Sequence, residues 1–279
     1  MKRCLVILDQ PEHAPALLNA AAQLVALSGV KTLNILALRP NAAAKNVAQA
    51  PAEAYLFEEQ HRSRLAALHT QFCHWLQTEY HHAQKQVEET EVNWLVDDGK
   101  KNTSISSFAQ EADVILATMP QGSSPASLTE TTLFGLARPV LLIPPYWDGG
   151  YGSSILVVWD NSVCAHKMLQ ASRTVLARAS LLHLLAPHGQ ELPYSLLPPV
   201  MMEEHRLGQP FSLPRVMHTV ATTKLAYPAD LVVLGFDLGC THNTQSGGGI
   251  ANSSAGASLQ AARVPLLVWG SQPAQQVYG

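Results

Sequence analysis

The chain has 279 residues, 47% of them hydrophobic and only 14% charged, against a usual charged share of roughly 25%. A net charge of −3 and a pI near 6.4 leave no basic footprint for nucleic acid and no polybasic patch for a membrane. Cys4, Cys73, Cys164 and Cys240 form no C-x-x-C pair, which excludes a zinc ribbon or a thioredoxin-type centre and predicts reduced thiols in a cytoplasmic protein.

The first predicted element is the apolar run Cys4–Leu8, closed by Asp9. It reads as a strand buried on both faces, as in a parallel sheet. That run is too short for a signal peptide, and no window reaches the 18 or so apolar residues that span a bilayer. Pro15–Leu27 has Leu17, Leu18, Ala21, Leu24 and Val25 at helical spacing, and Ser28-Gly29 stops it. Leu33–Leu38 is a second strand, broken by Arg39-Pro40. After an Ala-rich polar stretch, Asn41–Pro51, a long helix from about Ala52 to Val87 has Leu65, Leu68, Phe72 and Trp75/Leu76 as its apolar stripe. Val92–Val96, Asp113–Thr118 and Pro139–Ile143 complete five strands, with helices at Ser104–Glu111 and Leu128–Leu136. This alternation predicts a parallel sheet covered by helices.

Pro144–Gly152 reads as a linker, and the pattern then restarts. Ser154–Trp159 closes on Asp160, and Asn161 or Ser162 caps a helix that runs through Ala179. Leu181–Leu185 is the next strand. Pro187–Pro214 holds six prolines and lacks the long helix of the first half. Val216–Ala226 and Ser254–Ala262 read as helices, Asp230–Gly235 and Val264–Trp269 as strands, and the tail after Gly270 as loose.

Three landmarks recur in order. Leu5–Asp9 matches Ile155–Asp160, Ala112–Leu116 matches Ala229–Leu234, and Arg138–Ile143 matches Val264–Trp269. Such self-similarity predicts a duplicated domain. Asp9 and Asp160 lie 151 residues apart, Pro40 and Pro187 147, Asp113 and Asp230 117, and Pro139 and Pro265 126. The second copy is therefore 30 residues shorter before its Ala-Asp strand and 9 longer before its last strand. The expected division is 1–146, a linker at 147–153, and 154–272.

Two places invite a ligand. A strand-terminal Asp at the carboxyl edge of an open α/β sheet is a usual ligand position. Asp9 and Asp160 both qualify, although each could simply cap the next helix. Asp160-Asn161-Ser162 is the better site, because its polar turn leads into a helix N-terminus with free N–H donors. The Gly-rich stretch Gly235–Gly256 could cradle a phosphate or stay an unliganded loop. Its counterpart, Thr118–Ser127, has only Gly122. There is no P-loop lysine, nucleophile elbow or G-x-G-x-x-G. The twelve histidines include no H-E-x-x-H, and His61, His69, His74, His81 and His82 read as solvated or partly packed. His183, inside a strand, reads as a satisfied core or cleft histidine.

These landmarks resemble the universal stress protein family over nearly the whole chain. The set comprises a strand ending in Asp, a polar turn, a βαβ unit, an Ala-Asp apolar strand, a Gly/Ser loop, a helix and a final Pro-(Leu/Val)-Leu-(Leu/Val) strand. Asp98-Gly99 resembles the family's third-strand exit, with Gly208-Gln209-Pro210 as its remnant in the second copy. The resemblance implies two tandem flavodoxin-like, Rossmann-like (adenine nucleotide alpha hydrolase-like) domains, each a five-stranded, mostly parallel sheet. The two last strands would face each other across a pseudo-twofold. Members that bind ATP hold phosphates with G-x2-G-x9-G-(S/T); here the pattern falls on Gly239-x2-His242-x9-Asn252-Ser253, with two glycines replaced. The implied nucleotide residues are Asp160, Leu184, Gly235, Gly239, Asn252 and Ser253. The first copy has no intact loop. The resemblance implies a cytoplasmic stress-response protein with ATP or another adenine nucleotide in its second domain and at most weak ATPase activity. It also implies self-association through the last strands or an uncovered surface, without nucleic acid or membrane. The competing expectation is a nucleotide-free scaffold acting through protein partners. An adenylate-using enzyme is disfavoured, because no acid, base or nucleophile set is visible.

Overall fold

Apolar β-branched and leucine runs with no polar alternation can be satisfied only between two covering layers, and the strands of this chain are placed so. The computed structural model describes residues 1–38, 51–80, 90–97, 103–119, 138–208, 215–216, 218, 228–235 and 262–269. Ten strands form one sheet: β1 (Arg3–Leu8), β2 (Thr32–Ala37), β3 (Glu91–Val96), β4 (Val114–Thr118), β5 (Pro139–Ile143), β6 (Ser154–Val158), β7 (Leu181–Pro187), β8 (Met201–Leu207), β9 (Leu231–Gly235) and β10 (Leu266–Trp269). The described helices are α1 (Ala14–Ser28), α2 (Pro51–Trp75, followed by a π-helical turn at Leu76–Tyr80), α3 (Thr103–Glu111) and α4 (Val163–Leu176).

The strand order is β3-β2-β1-β4-β5-β10-β9-β6-β7-β8. Each half has the same internal order, and every pairing is parallel except β5 with β10, which run antiparallel with Leu142 opposite Leu266 and Pro139 opposite Trp269. The two last strands do face each other, but inside one chain. Their edges are used up, so a second copy would have to associate elsewhere.

The predicted helix stripe is buried: Leu17, Leu18, Ala21, Leu24 and Val25 of α1 all lie in the core, and α1 ends on Gly29 in the left-handed region, at φ 67°. On α2, Leu68, Phe72 and Trp75 are buried, and Phe72 lies 5.0 Å from the Trp94 ring of β3. One apolar layer runs without interruption from α1 and β1 to α4 and β6.

Two elements differ from the sequence reading. Residues 147–153, expected as a linker, are docked on α1. Tyr151 donates its hydroxyl to the Ala20 carbonyl at 2.7 Å, and Gln23 bonds Gly149 and the Tyr151 N–H. The Pro-rich segment after β7 contains β8, which pairs in parallel along all of β7. Its sequence, MMEEHRL, is polar because β8 is an edge strand, where charge discourages further pairing. Gly208 follows it directly, at the place of the third-strand exit.

Candidate functional site

The recurring Ala-Asp pair lies at the amino ends of β4 and β9 and serves the backbone. Asp113 accepts from the N–H groups of Lys2 (2.6 Å) and Arg3 (3.1 Å). Asp230 accepts from Gly152 (2.8 Å), Ser153 and Ser154 (3.0 Å each). Each carboxylate thus anchors the start of the strand beside its own.

At the carboxyl edge the two halves differ. In the second half, Asp160 Oδ1 accepts from the Ser162 N–H at 2.9 Å. Asn161 adopts φ 61°, a left-handed conformation that asparagine tolerates, and its Oδ1 lies 3.1 Å from His166 Nε2. Ser162 is the N-cap of α4, its Oγ accepting from the Ala165 N–H at 3.1 Å. Gly235, at the end of β9, is pressed against this helix start: a Cβ there would overlap the Cys164 carbonyl oxygen and the Ala165 backbone. Asp160 and Gly235 therefore flank one helix N-terminus. Leu184 does not join them. It pairs with Val157, below the edge, and its side chain is wholly buried in the core. Gly239, Asn252 and Ser253 lie outside the described residues.

In the first half the corresponding place is the end of β1 and β4, which pair with each other and lead to opposite neighbours, the switch point at which open α/β sheets receive ligands. The alignment of Ala112-Asp113 with Ala229-Asp230 puts Thr118 where the second half has Gly235, so this strand end carries a hydroxyl where the other has no side chain. Among the described residues, Asp9 Oδ1, His13 Nδ1, Arg64 Nε and Thr118 Oγ1 are buried without a hydrogen-bond partner. Arg64 reaches in from α2 and donates from Nη2 to the Leu38 carbonyl at the end of β2. Burial pushes the Asp9 carboxyl above its ordinary range, against the opposing pull of His13, two backbone N–H groups and Arg64. Burial likewise lowers the Arg64 guanidinium, with Asp9 and Glu12 opposing. Of these residues the sequence singled out Asp9 alone. Arg64 looks like one more polar residue on a long helix, and only the packing of α2 beside α1 and the Pro11–His13 turn brings it to the edge.

The raised Asp9 value has a direct consequence. A folded-state pKa above the unfolded one, about 3.9 for aspartate, gives stability that is present at low pH and lost as pH rises through the folded value. Asp9→Asn is therefore expected to melt higher than the wild type at pH 7. The difference should vanish below about pH 3.9. An Asn variant that melts lower at pH 7, or a difference independent of pH, would contradict this.

No protein-family model and no curated protein sequence matches the chain. Solved structures do. A universal stress protein from Archaeoglobus fulgidus DSM 4304 superposes with a TM-score of 0.61 at 12% identity, covering 95% of both chains. A protein of unknown function from Pseudomonas aeruginosa PAO1 gives 0.48 at 14% identity over 98% of this chain and 93% of its own. Among the described residues no helix is long and apolar enough to cross a membrane. With its mirrored order of parallel strands, its helices on both faces and this end-to-end superposition, the chain has the universal stress protein fold.

Proposed function

We propose that this chain is a tandem stress-response protein of the cytoplasm that binds an adenine nucleotide at the carboxyl edge of its sheet. The observation that carries the reading is the set of four buried polar atoms on Asp9, His13, Arg64 and Thr118 that have no partner among the described residues. Buried polar groups are nearly always paired, and leaving one unpaired costs roughly 1–3 kcal/mol. A bound polar molecule would satisfy an acceptor, a cationic donor, a hydroxyl and an imidazole together. A purine offers an exocyclic amine to a carboxylate and ring nitrogens to donors, and phosphates suit Arg64. The first half is thus favoured over the second, reversing the assignment that the glycine pattern suggested. The second site, with Asp160 and Gly235 beside the start of α4 and Gly239, Asn252 and Ser253 in the following segment, remains the competing location; the left-handed Asn161 between cap and strand favours it.

The test is mass spectrometry of small molecules released by denaturing fresh protein, with ATP calorimetry on stripped wild type, Asp9→Ala and Asp160→Ala. Binding near one nucleotide per chain, lost in Asp9→Ala with unchanged circular dichroism, is the expected result. Loss confined to Asp160→Ala would move the site to the second half. No released ligand and no heat at millimolar ATP would sink nucleotide binding and leave a scaffold that works through protein partners.

A further inference from the structure

β7 is buried along its whole length, yet it carries a histidine in its middle. His183 is fully buried. Its register partner on the edge strand β8 is Glu203, and His205 follows two residues later on the same face. The His183 Nδ1 lies 3.2 Å from His205 Nε2 and 3.3 Å from Glu203 Oε2. The three donor atoms all lie within 4.8 Å of one another. On the other side, His183 Nε2 meets Ser154 Oγ of β6 at 3.2 Å.

This arrangement asks one nitrogen to serve two partners. If Nε2–H donates to Ser154, the neutral ring points its Nδ1 lone pair at both His205 and a carboxylate. An N–H of His205 can answer that lone pair, but the Glu203 oxygen then faces it with nothing between them. If Nδ1 carries the proton instead, it must be shared between an anion and an imidazole. A cation set among the three atoms satisfies all of them at once. The spacing suits one: two ligands about 2.0–2.1 Å from a zinc ion at the tetrahedral angle lie about 3.4 Å apart. Metal-bound histidines usually anchor their second nitrogen on a neighbouring acceptor, and Ser154 is placed for that role. Glu203 and His205 are only half buried, so an ion could enter from solvent and keep a position open beyond the protein ligands.

We propose that His183, Glu203 and His205 form a binding site for a divalent transition-metal ion of the zinc class. Two imidazoles and one carboxylate favour such ions over calcium or magnesium, which prefer oxygen ligands. The site lies at the β8 edge of the sheet, away from β1 and β4, and shares no residue with the proposed nucleotide site. A metal here would tie the edge strand β8 to β7 and β6, in the half whose connection lacks a long helix.

The test is a titration of chelator-treated full-length protein with Co(II), read by its visible ligand-field bands, with Zn(II) displacing it. One Co(II) per chain is expected. Zn(II) should raise the melting temperature of the wild type. Glu203→Gln and His205→Ala stand on a partly exposed edge strand, so folding should survive, which circular dichroism checks. Each should weaken binding by more than the roughly 10–100-fold that follows loss of an outer-shell partner, and Ser154→Ala should weaken it by about 10-fold. Affinity should weaken as the medium is acidified, because an imidazole must be neutral to coordinate a metal. No ligand-field bands in the wild type, or equal affinity in wild type and both ligand variants, would overturn the proposal; the latter would assign binding to other histidines, and the former would leave the cluster as a buried His–Glu hydrogen-bond network.

Discussion

Replacing Gly235 with alanine is expected to lower the melting temperature by roughly 5–10 °C. The added Cβ would overlap the Cys164 carbonyl oxygen and the Ala165 backbone. Those are main-chain atoms of the first turn of α4, so no side-chain rotation relieves the clash. Overpacking a well-filled site typically costs about 1–3 kcal/mol, and the upper end applies where the backbone must move. The strand end and the helix start would separate, and with them the contact of Ser162 Oγ to the Gly235 carbonyl at 3.5 Å. Gly150→Ala is the control, because nothing lies within 4 Å of its Cβ position. If the two variants melt alike, the close approach of β9 to α4 is wrong. If Gly235→Ala alone is destabilised and ATP binding per folded molecule is unchanged, Gly235 is a packing glycine and not a ligand contact.

Asp230→Ala should cost about 2–3 kcal/mol in urea unfolding. The carboxylate accepts three consecutive backbone N–H groups, those of Gly152, Ser153 and Ser154, while its own N–H donates to the Ser154 carbonyl at 2.8 Å. Charge-assisted bonds of this kind are worth more than neutral ones, but partial exposure lets water replace some of them. Asp230→Asn keeps an acceptor and should fall between alanine and wild type. Asp148→Ala, at an exposed position, should be neutral. An Asp230→Ala protein as stable as Asp148→Ala would remove the anchoring role. The equivalent anchor at Asp113, with two N–H partners, explains why Ala-Asp marks both halves: the pair fixes where the central strand of each half begins.

The fold was legible wherever burial dictated residue type along a continuous segment. Leu5–Leu8 and Leu231–Leu234 are apolar because both sheet faces are covered, and α1 shows its stripe because one face meets the core and the other does not. β8 escaped notice for the converse reason. Glu203, Glu204, His205 and Arg206 belong to an edge strand whose polarity protects the sheet, so its sequence carries no buried pattern. The site was legible only in part. Asp9 and Asp160 announce themselves by ending strands, while Leu184, a position implied only by the family resemblance, lies below the sheet edge in the core.

By itself the sequence determined the α/β class, the parallel strands, the three recurring landmarks and the aspartates that close β1 and β6, because each is written in local periodicity and in residues adjacent along the chain. Only the tertiary structure decided which groups meet. Arg64 comes from α2 to the end of β2, residues 147–153 settle on α1, and His183, Glu203 and His205 converge from two strands. These depend on register and on how helices pack over the sheet, and contacts between segments far apart in sequence leave no periodic trace in either one.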